Sequence, residues 1–158
     1  MKKFLLFLFT ALLINSTFGQ NKKYYSQGTG DFSTANYANW NTNRLGGGTV
    51  ATSYLFQKDT FVIQSSHVLT VTLAMPFGFS GAGGGSVLQV ESGGVLSGNP
   101  SGLNPLTIRA NNTFKLDNGS TYYHYANFTG IFTGIESFAP TSNFYIYTAS
   151  GAGPSKTN

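Results

Sequence analysis

The chain offers five carboxylates, Asp31, Asp59, Glu91, Asp117 and Glu136, and two histidines, His67 and His124, as its acid–base inventory. Glycoside hydrolysis needs two carboxyl groups facing each other across the bond, roughly 5–10 Å apart. Asp59 stands at the entrance of an apolar run, and Asp117 lies in Asp117-Asn118-Gly119, a turn signal. Glu91 falls one repeat before Arg109, so an ion pair is expected there rather than a second acid. Asp31, Asp59 and Asp117 lack the spacing of a calcium loop. The histidines are far apart in a chain without cysteine, which is a poor basis for a zinc site. Gly83-Gly84-Gly85 lacks the lysine and following helix of a phosphate loop. No catalytic residue, metal or cofactor is expected. What remains is binding through aromatic rings: Tyr122, His124, Tyr145 and Tyr147 are expected to face outward on neighbouring strands, with Trp40 as a further stacking candidate.

The elements that would position these side chains follow from composition and periodicity. Charged residues make up only 9% of the 158 residues, against about 25% in ordinary domains. Coiled coils, charge-rich bundles and acidic disordered tails all need more. Glycine, serine, threonine and asparagine fill that space, and 14 Phe with 9 Tyr supply core material. That mixture suits an all-β extracellular protein.

The first residues, with Lys2 and Lys3 before an apolar run from Phe4 to Ile14, read as a secretory signal peptide over residues 1–19, cut after Gly19. The run is too short to span a bilayer, so no membrane span is expected after cleavage. Removing Lys2 and Lys3 leaves seven basic against five acidic residues, a net charge of +2 instead of +4. A nucleic-acid partner, which needs a dense basic face, is therefore not expected. Sequons at Asn111, Asn118 and Asn127 read as chance matches in so Asn-rich a chain.

Laid against itself, the chain repeats. Phe61-Val62-Ile63-Gln64-Ser65-Ser66-His67-Val68-Leu69 matches Leu88-Gln89-Val90-Glu91-Ser92-Gly93-Gly94-Val95-Leu96, then Leu106-Thr107-Ile108-Arg109-Ala110-Asn111-Asn112-Thr113-Phe114. Weaker copies begin at Tyr123 and Phe144. Each copy reads as a period-2 strand, a corner of small residues that tolerate left-handed backbone, and a second strand. This predicts a right-handed parallel β-helix of about four to five coils with an N-terminal cap; the alternative is an antiparallel β-sandwich. The expected inward columns are Phe61, Leu88, Leu106, Tyr123 and Phe144, then Ile63, Val90, Ile108, Tyr125 and Ile146. On the second strand Leu69, Leu96, Phe114 and Ile131 align. Met75 to Phe79 and Gly81 to Gly85 read as a loop, and His67 as a solvent-facing corner residue. The expected divisions are a cap over residues 20–59, with Ser33 starting a helical turn toward Trp40 and Trp40 sealing the first coil, coils over 60–147, and a truncated tail over 148–158, so that the chain reads as a fragment.

Tyr24-Tyr25-Ser26, Gly30-Asp31-Phe32, Trp40, Asp59-Thr60-Phe61-Val62-Ile63, His67-Val68-Leu69-Thr70-Val71 and Val90-Glu91-Ser92-Gly93-Gly94-Val95-Leu96 together resemble the N-terminal regions of large surface proteins of type IX-secreting bacteria. They are also similar to the eight-glycine domain of large secreted proteins, in which a tryptophan precedes an Asp-x-Val-x-Ile strand. The chain departs from that pattern at Lys58, where glycine is usual, and lacks the upstream proline. The resemblance implies a β-helix secreted to, or held at, the outer cell surface, with further domains in the same chain and a sorting domain that nothing here resembles. The function expected is a non-catalytic adhesive or structural module whose partner is an extracellular polysaccharide or surface protein. The alternative is the non-catalytic N-terminal part of a larger carbohydrate-active enzyme, a polysaccharide lyase or glycoside hydrolase.

Overall fold

The structure is a computed structural model, and it describes residues 21–32, 36–55, 57–72, 75–78, 83–98, 106–125, 134–147 and 155–156. Residues 1–19, expected to be a signal peptide, lie outside the described residues, as do Ser33, Ile131 and most of the expected tail. Fourteen short strands and one 3-10 turn make the fold all-β: β1 (Lys23–Ser26), β2 (Gly30–Asp31), the 3-10 turn (Tyr37–Asn39), β3 (Trp40–Asn41), β4 (Thr60–Ile63), β5 (Val68–Thr70), β6 (Met75–Phe77), β7 (Val87–Val90), β8 (Val95–Ser97), β9 (Leu106–Ile108), β10 (Thr113–Leu116), β11 (Thr121–Tyr125), β12 (Ile135–Phe138), β13 (Asn143–Tyr147) and β14 (Ser155–Lys156).

These strands form three sheets. The first has the order β12-β10-β7-β4-β1-β3, the second β14-β13-β11-β8-β5-β2, and the third pairs β6 with β9. Within the sheets every pairing is parallel except β1 with β3 and β13 with β14. An antiparallel sandwich is excluded by that pattern. The chain visits the first sheet, turns a corner, visits the second, and returns to pair beside its own previous visit.

Phe61, Leu88, Phe114 and Glu136 are successive partners in the first sheet, as are Ile63, Val90, Leu116 and Phe138. In the second sheet the partners run Leu69, Leu96, Tyr122 and Phe144. Each of these columns except its last member is buried and apolar, so each strand closes a face its neighbour cannot bury alone.

The corner between first and second sheet explains why the strands stay in step. Ser66, Gly93 and Gly119 hold the same corner position with φ of +68°, +75° and +72°. That left-handed region suits glycine and strains serine. The corners bond to one another: the N–H of Ser66 donates to Gly93 O at 3.2 Å, that of Gly93 to Gly119 O at 3.1 Å, and that of Gly119 to Thr141 O at 3.1 Å. A second kind of corner, Arg109 to Asn112, leads from the third sheet back to the first. Asn112 is fully buried there, its Oδ1 accepting from Ser86 N–H at 3.1 Å and its Nδ2 donating to Ala110 O at 2.9 Å.

Several expectations need correction. Ile63 does face Val90 on a neighbouring parallel strand, but Leu106 and Ile108 do not continue those columns. They pair with Met75 and Phe77 in the third sheet, so the stretch from Met75 to Phe77 is a strand, not a loop. The place expected for Leu106 belongs to Phe114, and that expected for Phe114 belongs to Tyr122. Phe144 stacks on Tyr122 in the second sheet, not in the Phe61 column. Tyr123 and Tyr125 consequently point outward. Glu91 bonds Arg44 instead of Arg109, with Glu91 Oε2 accepting from Nη1 at 2.8 Å.

The segment before Thr60 is more than a lid. β1 and β2 pair in parallel with β4 and β5, extending both sheets by one strand, while antiparallel β3 covers the outer edge. Trp40 seals this end as expected: it is fully buried, donates from Nε1 to Tyr54 Oη at 2.8 Å, and meets Phe32 and Phe61 edge to face at 5.1 and 5.2 Å. The helical turn reduces to the 3-10 turn Tyr37–Asn39.

Candidate functional site

Strand alternation decides which aromatic side chains reach solvent. In β11 the burial runs half-buried, buried, half-buried, buried, half-buried from Thr121 to Tyr125. Tyr122 and His124 therefore point into the core, at 0% and 1% exposure, and Tyr123 and Tyr125 point out. This inverts the expectation for Tyr122 and His124, because a one-residue shift of register exchanges the two faces of a strand. Tyr145 and Tyr147 of β13 are half-buried on the outer face, as expected. Trp40 is inside and offers no stacking platform.

The outward face therefore carries four tyrosines in two adjacent columns. Tyr123 stacks on Tyr145 with ring centroids 5.3 Å apart and planes 18° from parallel. Tyr125 stacks on Tyr147 at 4.4 Å and 10°. Tyr123 and Tyr147 meet across the diagonal at 6.1 Å. Parallel in-register pairing produces this, because partners stand one strand spacing apart, about 4.8 Å. Burial and the neighbouring Tyr147 and Tyr123 hydroxyls raise the Tyr125 phenol above its ordinary range.

The tyrosine columns continue into a neutral surface. Tyr123 is followed along its column by Ser97 and Thr70, and the parallel column holds Asn143, Thr121, Val95 and Val68. Among the described side chains of these columns, formal charge enters only at Asp31, the partner of Thr70 at one edge. The face thus presents phenol edges, hydroxyls and small apolar patches.

Beneath it, Tyr122 Oη and His124 Nδ1 are hydrogen-bonded at 2.8 Å. Phe144 stacks on Tyr122 at 5.3 Å and Phe114 meets it edge-on at 5.0 Å. Burial pushes the Tyr122 phenol up and the His124 imidazole down to about 4, since it strips water from the charged form of each. Closed off from solvent, this pair is core rather than a reacting site.

The carboxylates are spread over separate structural tasks. Asp59 is buried, accepts from the Lys22 N–H at 2.9 Å, and is pushed up by burial. Glu91 grips the Arg44 guanidinium, which holds its carboxyl below the usual range and lies 4.5 Å over the Tyr25 ring. Asp117 accepts from Lys115 Nζ at 2.9 Å and from Gln89 Nε2 at 2.6 Å. Asp31 accepts from Asn36 Nδ2 at 3.0 Å. Among the described residues no three His, Asp or Glu side chains come together as a metal site would require. His67 sits in its corner half-buried, its Nδ1 2.7 Å from Ser26 Oγ.

The sequence signal that would have found Tyr123 and Tyr125 was the corner Asp117-Asn118-Gly119-Ser120. Taking it as equivalent to Glu91-Ser92-Gly93-Gly94 places Tyr122 beneath Leu96 and turns its neighbours outward. No known family, curated protein or solved structure matches the chain.

Proposed function

We propose that the chain is a right-handed parallel β-helix module of a secreted or cell-surface protein, with a non-catalytic adhesive role toward an uncharged extracellular polysaccharide. The stacked parallel register and the recurring left-handed corner support the β-helix, and parallel crossovers overwhelmingly take the right hand. The leader-like residues 1–19 support export, and among the described residues no helix is long and apolar enough to cross a membrane. Further domains of the same chain would carry any surface attachment.

The observation that carries the binding role is the neutral tyrosine-lined face of the second sheet. Tyrosine supplies broad apolar area and a polar tip with few rotors to freeze, which suits sugar rings that are apolar on one face and hydroxylated at the rim. Electrophoresis through gels carrying a neutral polysaccharide tests this. Retardation of the protein, reduced by Tyr123→Ala and Tyr145→Ala, is the expected result. Mobility unaffected by any neutral polysaccharide, or retardation untouched by both substitutions, would overturn it.

A further inference from the structure

The geometry of the outer tyrosine columns points to a covalent modification site: we propose that Tyr125 and Tyr147 are poised for oxidative coupling into a dityrosine cross-link. The two rings lie with centroids 4.4 Å apart and planes 10° from parallel. Two phenols joined ring carbon to ring carbon have centroids at nearly this separation, so coupling needs the stacked rings to turn edge to edge about their Cβ–Cγ bonds, not the strands to move. They sit directly opposite one another in register on β11 and β13. Both are half-buried on the outward face, open to an oxidant at their edges.

Competing sinks are few. The chain has no cysteine, and its one tryptophan is fully buried. Tyr24, Tyr54 and Tyr122 are buried as well. Tyr123 and Tyr145 form the next-best pair, at the longer 5.3 Å. The link would join two successive passes of the chain in a protein that can form no disulfide, at the end where Phe138 and Phe144 are only partly buried.

The step balances with a peroxide as oxidant, acting through a haem peroxidase. Each phenol gives up one electron and one proton, leaving a phenoxyl radical. The radicals join through ring carbons ortho to the oxygens, and the two ring hydrogens displaced there move to the oxygens, restoring both hydroxyls. Two hydrogens leave in all, and one hydrogen peroxide is reduced to two waters. This inference does not depend on what the face binds.

The test treats dilute protein with peroxidase and hydrogen peroxide and maps the monomer by mass spectrometry. Cleavage after Lys115, Glu136 and Lys156 puts Tyr125 and Tyr147 on different peptides. A joined pair of these peptides, lighter by two hydrogens than their sum and linked through Tyr125 and Tyr147, is expected. Tyr147→Phe, which keeps the stacked ring, abolishes the Tyr125 link, whereas Tyr145→Phe leaves it intact. A monomer without linked peptides, a link mapped to other tyrosines, or coupling only between molecules would overturn the proposal, and the unsubstituted protein alone decides among these outcomes.

Discussion

At the scale of single residues, His124 has the most consequential environment. Its imidazole is depressed to about 4 in the fold by burial, against about 6.5 in an unfolded chain. The unfolded state then binds more protons than the folded state between those values, so stability rises with pH across that window. Stability is fully present above about pH 6.5 and is lost as pH falls toward 4, by up to about 3 kcal/mol at 1.36 kcal/mol per pH unit. Urea titrations at a series of pH values should show that slope, and it should flatten in the double variant Tyr122→Phe, His124→Leu, which removes both bonded partners together. Comparing the two proteins cancels Asp59, whose raised carboxyl is common to both. Arg44 gives a second residue-scale expectation. It grips Glu91, touches Gln64 Oε1 at 3.1 Å and lies over Tyr25, but its side chain is 45% exposed. Exposed pairs and exposed cation–π contacts each contribute at most about 1 kcal/mol. Arg44→Ala should therefore cost on the order of 1 kcal/mol by denaturant unfolding, and Glu91→Gln less.

At the scale of elements, the left-handed corner and the alternating strand are the units that repeat. Gly93 holds φ +75°, and a side chain there would meet Ser65 Oγ at 3.2 Å. Gly93→Ala should lower stability by roughly 1 kcal/mol or more, whereas Ser66→Gly, at the same corner position with φ +68°, should leave it unchanged or raise it by up to about 1 kcal/mol. A loss at Gly93 with none at the equivalent Ser66, read from thermal unfolding, is the diagnostic result. Strand alternation predicts a second contrast. Leu88 is fully buried, so Leu88→Ala should cost about 2–5 kcal/mol. Adjacent Gln89 faces outward and donates to Asp117, so Gln89→Ala should cost no more than about 1 kcal/mol. These elements were legible where their chemistry is distinctive. Ile63 and Val90 were paired from sequence because Gln64-Ser65-Ser66-His67 and Glu91-Ser92-Gly93-Gly94 are both unmistakable corners between apolar runs. The register failed at Asn111-Asn112, where Asn111 also takes φ +63° and apolar residues flank it in the same pattern. Two corners of different kinds look alike in one dimension, and only their pairing tells them apart.

For the whole molecule, the difference at that corner carries through to every later strand. Leu106 lies beside Met75 and not beside Leu88, so the columns C-terminal to it differ from those expected, and β11 turns Tyr123 and Tyr125 outward instead of Tyr122 and His124. The all-β class and the parallel stacking hold because they rest on composition and repetition, not on register. Among the described strands, the outermost ones differ from those between them. At one end antiparallel β3 covers the first sheet, and at the other β14 runs antiparallel against β13. On β12 the inward column that holds Phe61, Leu88 and Phe114 ends in Glu136, a charge where a further strand would need an apolar side chain. The central claim is the register itself, with β7 lying between β4 and β10, and a chain without cysteine makes it directly testable. Paired cysteines should be introduced as Gln89→Cys with Lys115→Cys, which are register partners on the outward face, and separately as Gln89→Cys with Thr107→Cys. Dibromobimane, which bridges only thiols a few ångströms apart and fluoresces when it does, should join the first pair and fail on the second. Bridging of Gln89→Cys to Thr107→Cys, with none to Lys115→Cys, would contradict the stacked register on which the account depends.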